Sequence, residues 1–157
     1  MKHTGMTSIV KNITRLVTGF IVVFGVYIAL TGHLTPGGGF AGGVILAAAG
    51  VLIVLAFGRD YAARILTEPK CHVWDAAGAM GFLVIALLGY LTGSFFFNFI
   101  NALPGADIEQ RVHHLVSAGT IPLSNLAIFV KVGTGLAGAF LALSAFRTRT
   151  SKREIKL

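Results

Sequence analysis

Four apolar runs, at about 13–32, 40–57, 74–93 and 122–146, make up most of this chain of 157 residues. Each is close to the 20 or so residues that carry a helix across a hydrocarbon core about 30 Å thick, at 1.5 Å per residue. Inside that core no water is available for backbone N–H and C=O groups, so each run has to satisfy its own hydrogen bonds, which a helix does. Composition points the same way. Only 12% of residues are charged, 55% are hydrophobic and the mean hydropathy is +0.80, whereas about a quarter of a soluble domain is charged. The expected fold is an all-α polytopic membrane protein, a single membrane domain over 1–157 with four transmembrane helices. Segment 1–14 lacks a small-residue cleavage site behind a short apolar core, so the first run is expected to be retained and not removed as a signal peptide.

Eleven of the 13 Lys and Arg residues fall on one side of these spans: Lys2, Lys11 and Arg15, then Arg59, Arg64 and Lys70, then Arg147, Arg149, Lys152, Arg153 and Lys156. The other side has Arg111, and Lys131 lies within the fourth run. The positive-inside rule therefore predicts that both termini are cytoplasmic. The net charge of +7 does not imply a nucleic-acid partner, because the basic residues hug span ends and are not interleaved with stacking aromatics. Anionic lipid headgroups are the expected counter-charge. The lone Cys71 excludes an internal disulfide and a thiolate metal centre; its place is expected in the loop between the second and third spans.

Small side chains recur at helical spacing in two runs. Gly39, Gly43, Ala47 and Gly50 mark one face of the second, and Ala127, Gly135, Gly138 and Ala142 mark one face of the fourth, with Thr134 at its flank. Such faces let helices approach closely, which favours association in lipid. Lys131 shares the second face. Its Cα is expected roughly 12 Å below Leu123 by helical rise, too deep for its stem to reach water with ease. An ionisable group at that depth marks a functional site by default, so Lys131 is the first candidate and is expected to face protein. No acid of the chain is expected at the same depth, so its counter-charge is expected from outside the chain.

The remaining polar groups are weaker candidates. Asp75 stands beside Trp74 at the start of the third run, where a carboxylate complements a helix dipole, with proton relay as the alternative. His33, His113 and His114 are expected on the outer side, and a histidine side chain can take up or release a proton; His33 and His114 are retained as candidates for the outer mouth of an ion path. No metal site is expected, since the rings of adjacent histidines diverge on a helix and no Cys, Asp or Glu completes a shell. Segment 107–117 has helical apolar spacing and is expected to lie as a short amphipathic helix on the outer surface between the third and fourth spans. The aromatic cluster Phe95, Phe96, Phe97 and Phe99 reads as an interfacial belt. No carboxylate pair or nucleophile forms a catalytic constellation, so neither an enzyme nor a cofactor is expected.

The turn His33-Leu34-Thr35-Pro36-Gly37-Gly38-Gly39-Phe40 is not a phosphate loop, because no Lys-Ser/Thr follows it. Its glycines permit positive φ and close backbone approach, which suits a tight re-entry turn setting Phe40 and the Gly39/Gly43 face against a neighbour, or a turn lined with cation-binding carbonyls. This stretch, Gly32 to Gly43, and a second one running from His114 through Pro122, Asn125 and Ile128 to Lys131 and Gly133, resemble the B subunit of Mrp-type (Mnh) multisubunit Na+/H+ antiporters. The family has relatives in membrane-bound hydrogenases and other energy-converting complexes. The resemblance implies a small subunit of a large complex in a prokaryotic cytoplasmic membrane, needed for assembly and inactive alone, with a contribution to the ion path as a further expectation. It also implies that other subunits are its partners and that Na+ and H+ are the transported ions.

Overall fold

In the computed structural model the described residues are 6–100 and 118–154, with side chains described as far as Ala145. Among them all regular structure is helical: α1 (Ser8–Leu30), α2 (Gly38–Phe57), α3 (Arg59–Ile65), α4 (Glu68–Leu88), which ends in one 3-10 turn (Gly89–Leu91), and α5 (Ile121–Glu154). Four of these helices, α1, α2, α4 with its 3-10 turn, and α5 as far as Ala145, are long and apolar enough to cross a membrane. The segment expected as an outer amphipathic helix, with Arg111, His113 and His114, lies outside the described residues.

Helix starts follow local chemistry. Pro122 is the second residue of α5, where its missing N–H leaves no intrahelical bond unmade. Pro69 plays the same part in α4, whose first residue is Glu68; the helix therefore begins six residues before the apolar run at 74. This corrects the place of Cys71, which is buried inside α4 and not in a loop. Gly58, with φ of 87°, ends α2 and starts α3. At the other end Asn98 clamps the start of α5: its Nδ2 donates to the Ala118 carbonyl at 3.0 Å, and its Oδ1 accepts from the Thr120 N–H at 3.1 Å.

The helices pack in the order α1, α2, α5, α4, with α4 resting chiefly on α5. Glycine sets each seam. Between α1 and α2, a methyl group added to Gly42 would stand 2.6 Å from the Gly25 carbonyl oxygen. Between α2 and α5, one added to Gly43 would stand 2.8 Å from Val132 Cβ and 2.9 Å from the Phe129 carbonyl oxygen. Between α4 and α5, one added to Gly138 would stand 3.1 Å from Cys71 Cβ. The two small-residue faces read from the sequence thus both meet other helices, while the Gly25/Gly42 contact lies on a different side of α2 that the spacing argument did not single out.

The Met6 N–H donates to the Ala56 carbonyl at 3.0 Å, the Arg15 guanidinium lies 5.2 Å over the Phe57 ring, and Arg59 pairs with Glu68 at 3.1 Å. The start of α1, the end of α2, α3 and the start of α4 therefore share one end of the bundle. That end carries Lys11, Arg15, Arg59, Arg64 and Lys70.

Between α1, α2 and α5 lies a cavity of about 160 Å³, lined by Thr18, Leu46, Gly50 and Ala137 and bounded by Cys71 and Thr134. Thr134 Oγ1 donates to the Val130 carbonyl at 2.7 Å, whereas Thr18 Oγ1 is buried without a hydrogen-bond partner among the described residues. A buried hydroxyl left unbonded costs on the order of 1–3 kcal/mol. Thr18→Val is accordingly expected to raise the thermal midpoint of the purified assembly by a few degrees; a fall would show that the hydroxyl is satisfied in the assembly.

Candidate functional site

Asp75 and Lys131 form the one ion pair among the described residues that lies within the membrane-spanning segments: Lys131 Nζ donates to Asp75 Oδ1 at 2.9 Å. The depth of each follows from helical rise. Asp75 is seven residues into α4 and Lys131 ten residues into α5, so their Cα atoms lie roughly 10 Å and 15 Å from the respective helix starts. Because α4 and α5 run antiparallel, these starts belong to opposite ends of the bundle and the two side chains meet in its middle.

Two glycines make the meeting possible. A methyl group on Gly78 would stand 2.7 Å from the Lys131 backbone nitrogen and 2.8 Å from the Ala127 carbonyl oxygen, so α4 touches α5 backbone to backbone at this level. One on Gly135 would stand 3.2 Å from Asp75 Oδ1. Each side chain nevertheless keeps a wide opening on one flank, with 47% of the Lys131 side chain and 35% of that of Asp75 exposed on this chain.

This geometry corrects two expectations. Asp75 does not sit in the first turn of its helix, so it is no dipole cap; it belongs to the third turn. The counter-charge of Lys131 is supplied by the chain itself and not from outside. A lone charge at the centre of a span costs about 2.5–3.5 kcal/mol on insertion scales, and pairing a cation with an anion removes the net charge.

The glycine turn forms a separate site nearer the end of the bundle. Thr31 Oγ1 donates to the Tyr27 carbonyl at 2.8 Å and Thr35 Oγ1 to the Thr31 carbonyl at 3.1 Å, closing the last turn of α1. The chain then reverses through Gly37 and Gly38, with φ of 130° and 61°, conformations that glycine adopts at little cost. Asn125 of α5 fills the inside of this reversal. Methyl groups added to Gly32 and Gly38 would meet its side chain, at 2.9 Å and 3.3 Å, and one on Gly39 would run into its backbone. Asn125 Nδ2 is buried without a hydrogen-bond partner among the described residues. Pro36 and Phe40 are exposed on this chain, Gly39 and Gly43 are buried, and His33 is half-buried.

Gly32, the neighbour of His33, lies at the level of Asn125, and Asn125 is six residues, roughly 9 Å of helix, from Lys131. The turn and the ion pair are thus two stations along α5. Sequence reasoning missed Asn125 as the residue that joins the two signature stretches, and it missed the Asp75 partner. The signal for the second was Thr67-Glu68-Pro69, a helix-start pattern. Among the described residues no three His, Cys, Asp or Glu side chains converge as metal ligands would.

Residues 9–138 match a family model described as a domain related to the MnhB subunit of Na+/H+ antiporter. An uncharacterized protein of Methanocaldococcus jannaschii is 35% identical over 156 residues, covering 96% of this chain and 58% of its own length. A Staphylococcus aureus protein named as an antiporter subunit, mnhB2, is 28% identical over 140 residues, covering 89% of this chain and 96% of its own length. A chain in the structure of the membrane-bound sulfane sulfur reductase, an archaeal respiratory membrane complex, superposes with a TM-score of 0.71 at 34% identity, over 87% of this chain and 57% of that one. The chain thus spans somewhat more than half the length of the archaeal proteins it matches and nearly all of the bacterial one. With the family match extending over most of its length and both signature stretches joined at Asn125, this four-span membrane chain belongs to the MnhB family.

Proposed function

We propose that the chain is a small integral-membrane subunit of a multisubunit antiporter that exchanges Na+ for protons. It acts in assembly through its glycine seams and contributes the Lys131–Asp75 pair to the ion path, with His33 and His114 as further candidates at the outer mouth. It has no catalytic site of its own; its partners are the other subunits and membrane lipids. The observation that carries this reading is the match of residues 9–138 to the MnhB domain, and the charged pair in the middle of two apolar helices supports it. A second reading, a homologous subunit of a redox-driven ion pump, draws on the likeness to a chain of a respiratory complex.

Everted membrane vesicles separate the two. With this subunit deleted and the others retained, Na+-driven dissipation of a preset pH gradient is expected to fall at least about tenfold, a barrier change of roughly 1.4 kcal/mol or more. In wild-type vesicles the exchange is expected without any electron donor. Ion movement seen only during redox turnover would replace the first reading with the second.

Both termini are proposed to be cytoplasmic, supported by the gathering of Lys11, Arg15, Arg59, Arg64 and Lys70 at one end of the bundle. With background removed by Cys71→Ala, a Thr35→Cys variant in intact cells is expected to react with a membrane-impermeant maleimide. Reaction only after the vesicles are everted would invert the topology.

A further inference from the structure

We infer that the exposed flank of the Lys131–Asp75 pair is the seat of a transmembrane helix from another subunit, one that presents an amide or hydroxyl side chain at that depth and carries no charge there. The inference rests on the reading that the chain works inside a membrane complex. Its starting point is a conflict between exposure and depth. About half of the Lys131 side chain and a third of that of Asp75 are open on this chain, yet both lie in helices apolar enough to span a bilayer. Lys131 is ten residues from the first residue of α5 and fourteen from the end of its span at Ala145, too far for the ammonium to snorkel to either interface. Lipid gives neither hydrogen bonds nor counter-charge, so a polar flank at this depth faces protein or water inside a bundle.

Charge balance selects the occupant. The 2.9 Å bond uses one of the three N–H donors of Lys131 and one of about four lone-pair sites of Asp75, and the pair is neutral. A third charge would leave an unbalanced one in the membrane. An amide or hydroxyl supplies an acceptor to the ammonium and a donor to the carboxylate without that cost. The approach is open for a helix: Ala79 follows Asp75 by one turn, and Gly135 and Ala139 follow Lys131 by one and two turns, all three half-buried or exposed. Side chains this small let a neighbouring backbone come close.

The test uses the intact complex in its own membranes. In a Cys71→Ala background, Ala139→Cys carrying a short thiol-linked diazirine is expected, on illumination, to form an adduct with a membrane-spanning segment of another subunit that has Asn, Gln, Ser or Thr at the level of Lys131, about two turns from the attachment point. Adducts only with phospholipid, or with a segment whose nearest polar residue is charged, would overturn the inference. Two double variants give a second readout on native gels. Exchanging the charges, Lys131→Asp with Asp75→Lys, is expected to keep assembled complex within about twofold, because a dipolar neighbour can turn to serve either order; replacing both by leucine is expected to lower it about fivefold or more, by stranding the neighbour's polar group. Normal assembly of the double leucine variant, or loss of assembly in the exchanged one, would refute the seat. Transport is scored separately: if exchange proves independent of Lys131, the ion-path reading fails while the cross-link and assembly results stand unaltered.

Discussion

Lys131→Ala is expected to cut Na+/H+ exchange per assembled complex at least about tenfold, measured in everted vesicles matched for complex abundance. The deletion leaves Asp75 alone in α4, roughly 10 Å from its start. A carboxylate without its cation inside a span is unfavourable, so the variant removes the positive group and leaves its partner uncompensated. Lys131→Arg is expected to retain part of the exchange, since charge survives while the planar guanidinium fits the space beside Gly78 and Gly135 differently. Asp75→Asn should match the alanine variant in transport, because the ammonium then lacks its anion. Exchanging the two charges is expected to restore pairing and assembly without restoring transport, because the ammonium moves to the other helix. Full activity of Lys131→Ala would remove the pair from the ion path and leave it a purely structural contact.

How much of this was legible in the sequence differs between the two partners. Lys131 was conspicuous because an apolar run surrounds it on both sides, and hydropathy alone exposes such a residue. Asp75 was not, because the apolar run begins one residue before it; counted from the run, it falls at the interface, and counted from the helix, it falls in the third turn. The difference is the six residues from Glu68 to Val73, which are too polar to register as span and are still helical because Thr67 is extended and Pro69 starts the helix. The pairing itself depends on register between α4 and α5, set by Gly78 against the Lys131 backbone. Nothing in either segment taken alone reports that register. Periodicity did reveal the Gly39/Gly43 and Gly135/Gly138 faces, since small residues at steps of three and four mark a close seam whichever helix covers it. It did not single out Gly42, which sits between two stripe glycines and turns toward Gly25 on the opposite neighbour. Asn125 was equally hidden, because its role is to fill a turn some 90 residues earlier in the chain.

Gly43→Leu is expected to abolish most of the assembled complex while membrane insertion of the chain survives. Insertion depends on apolar content, which leucine increases, whereas assembly depends on how closely α2 and α5 approach. At Gly43 even the first added carbon would fall 2.8 Å from Val132 Cβ, 2.9 Å from the Phe129 carbonyl oxygen and 3.0 Å from the Gly133 nitrogen. Two of these three neighbours are backbone atoms, which cannot rotate away, so the helices have to separate. Overpacking of this kind costs typically 1–3 kcal/mol, and here it also displaces α5, which carries Lys131. Gly38→Val should act through the turn, because φ of 61° is unfavourable for a β-branched residue and the Asn125 side chain blocks the space. Gly19→Ala is the control: a methyl group there meets nothing within 4 Å, and alanine favours a helix over glycine by about 1 kcal/mol, so assembly should hold or rise. Native gels of the solubilised membranes, with immunoblots of total membrane for insertion, give both quantities. Normal assembly of Gly43→Leu would mean that α2 and α5 are not pressed together in the working complex, and the route by which the glycine seams set the position of Lys131 would fall with it.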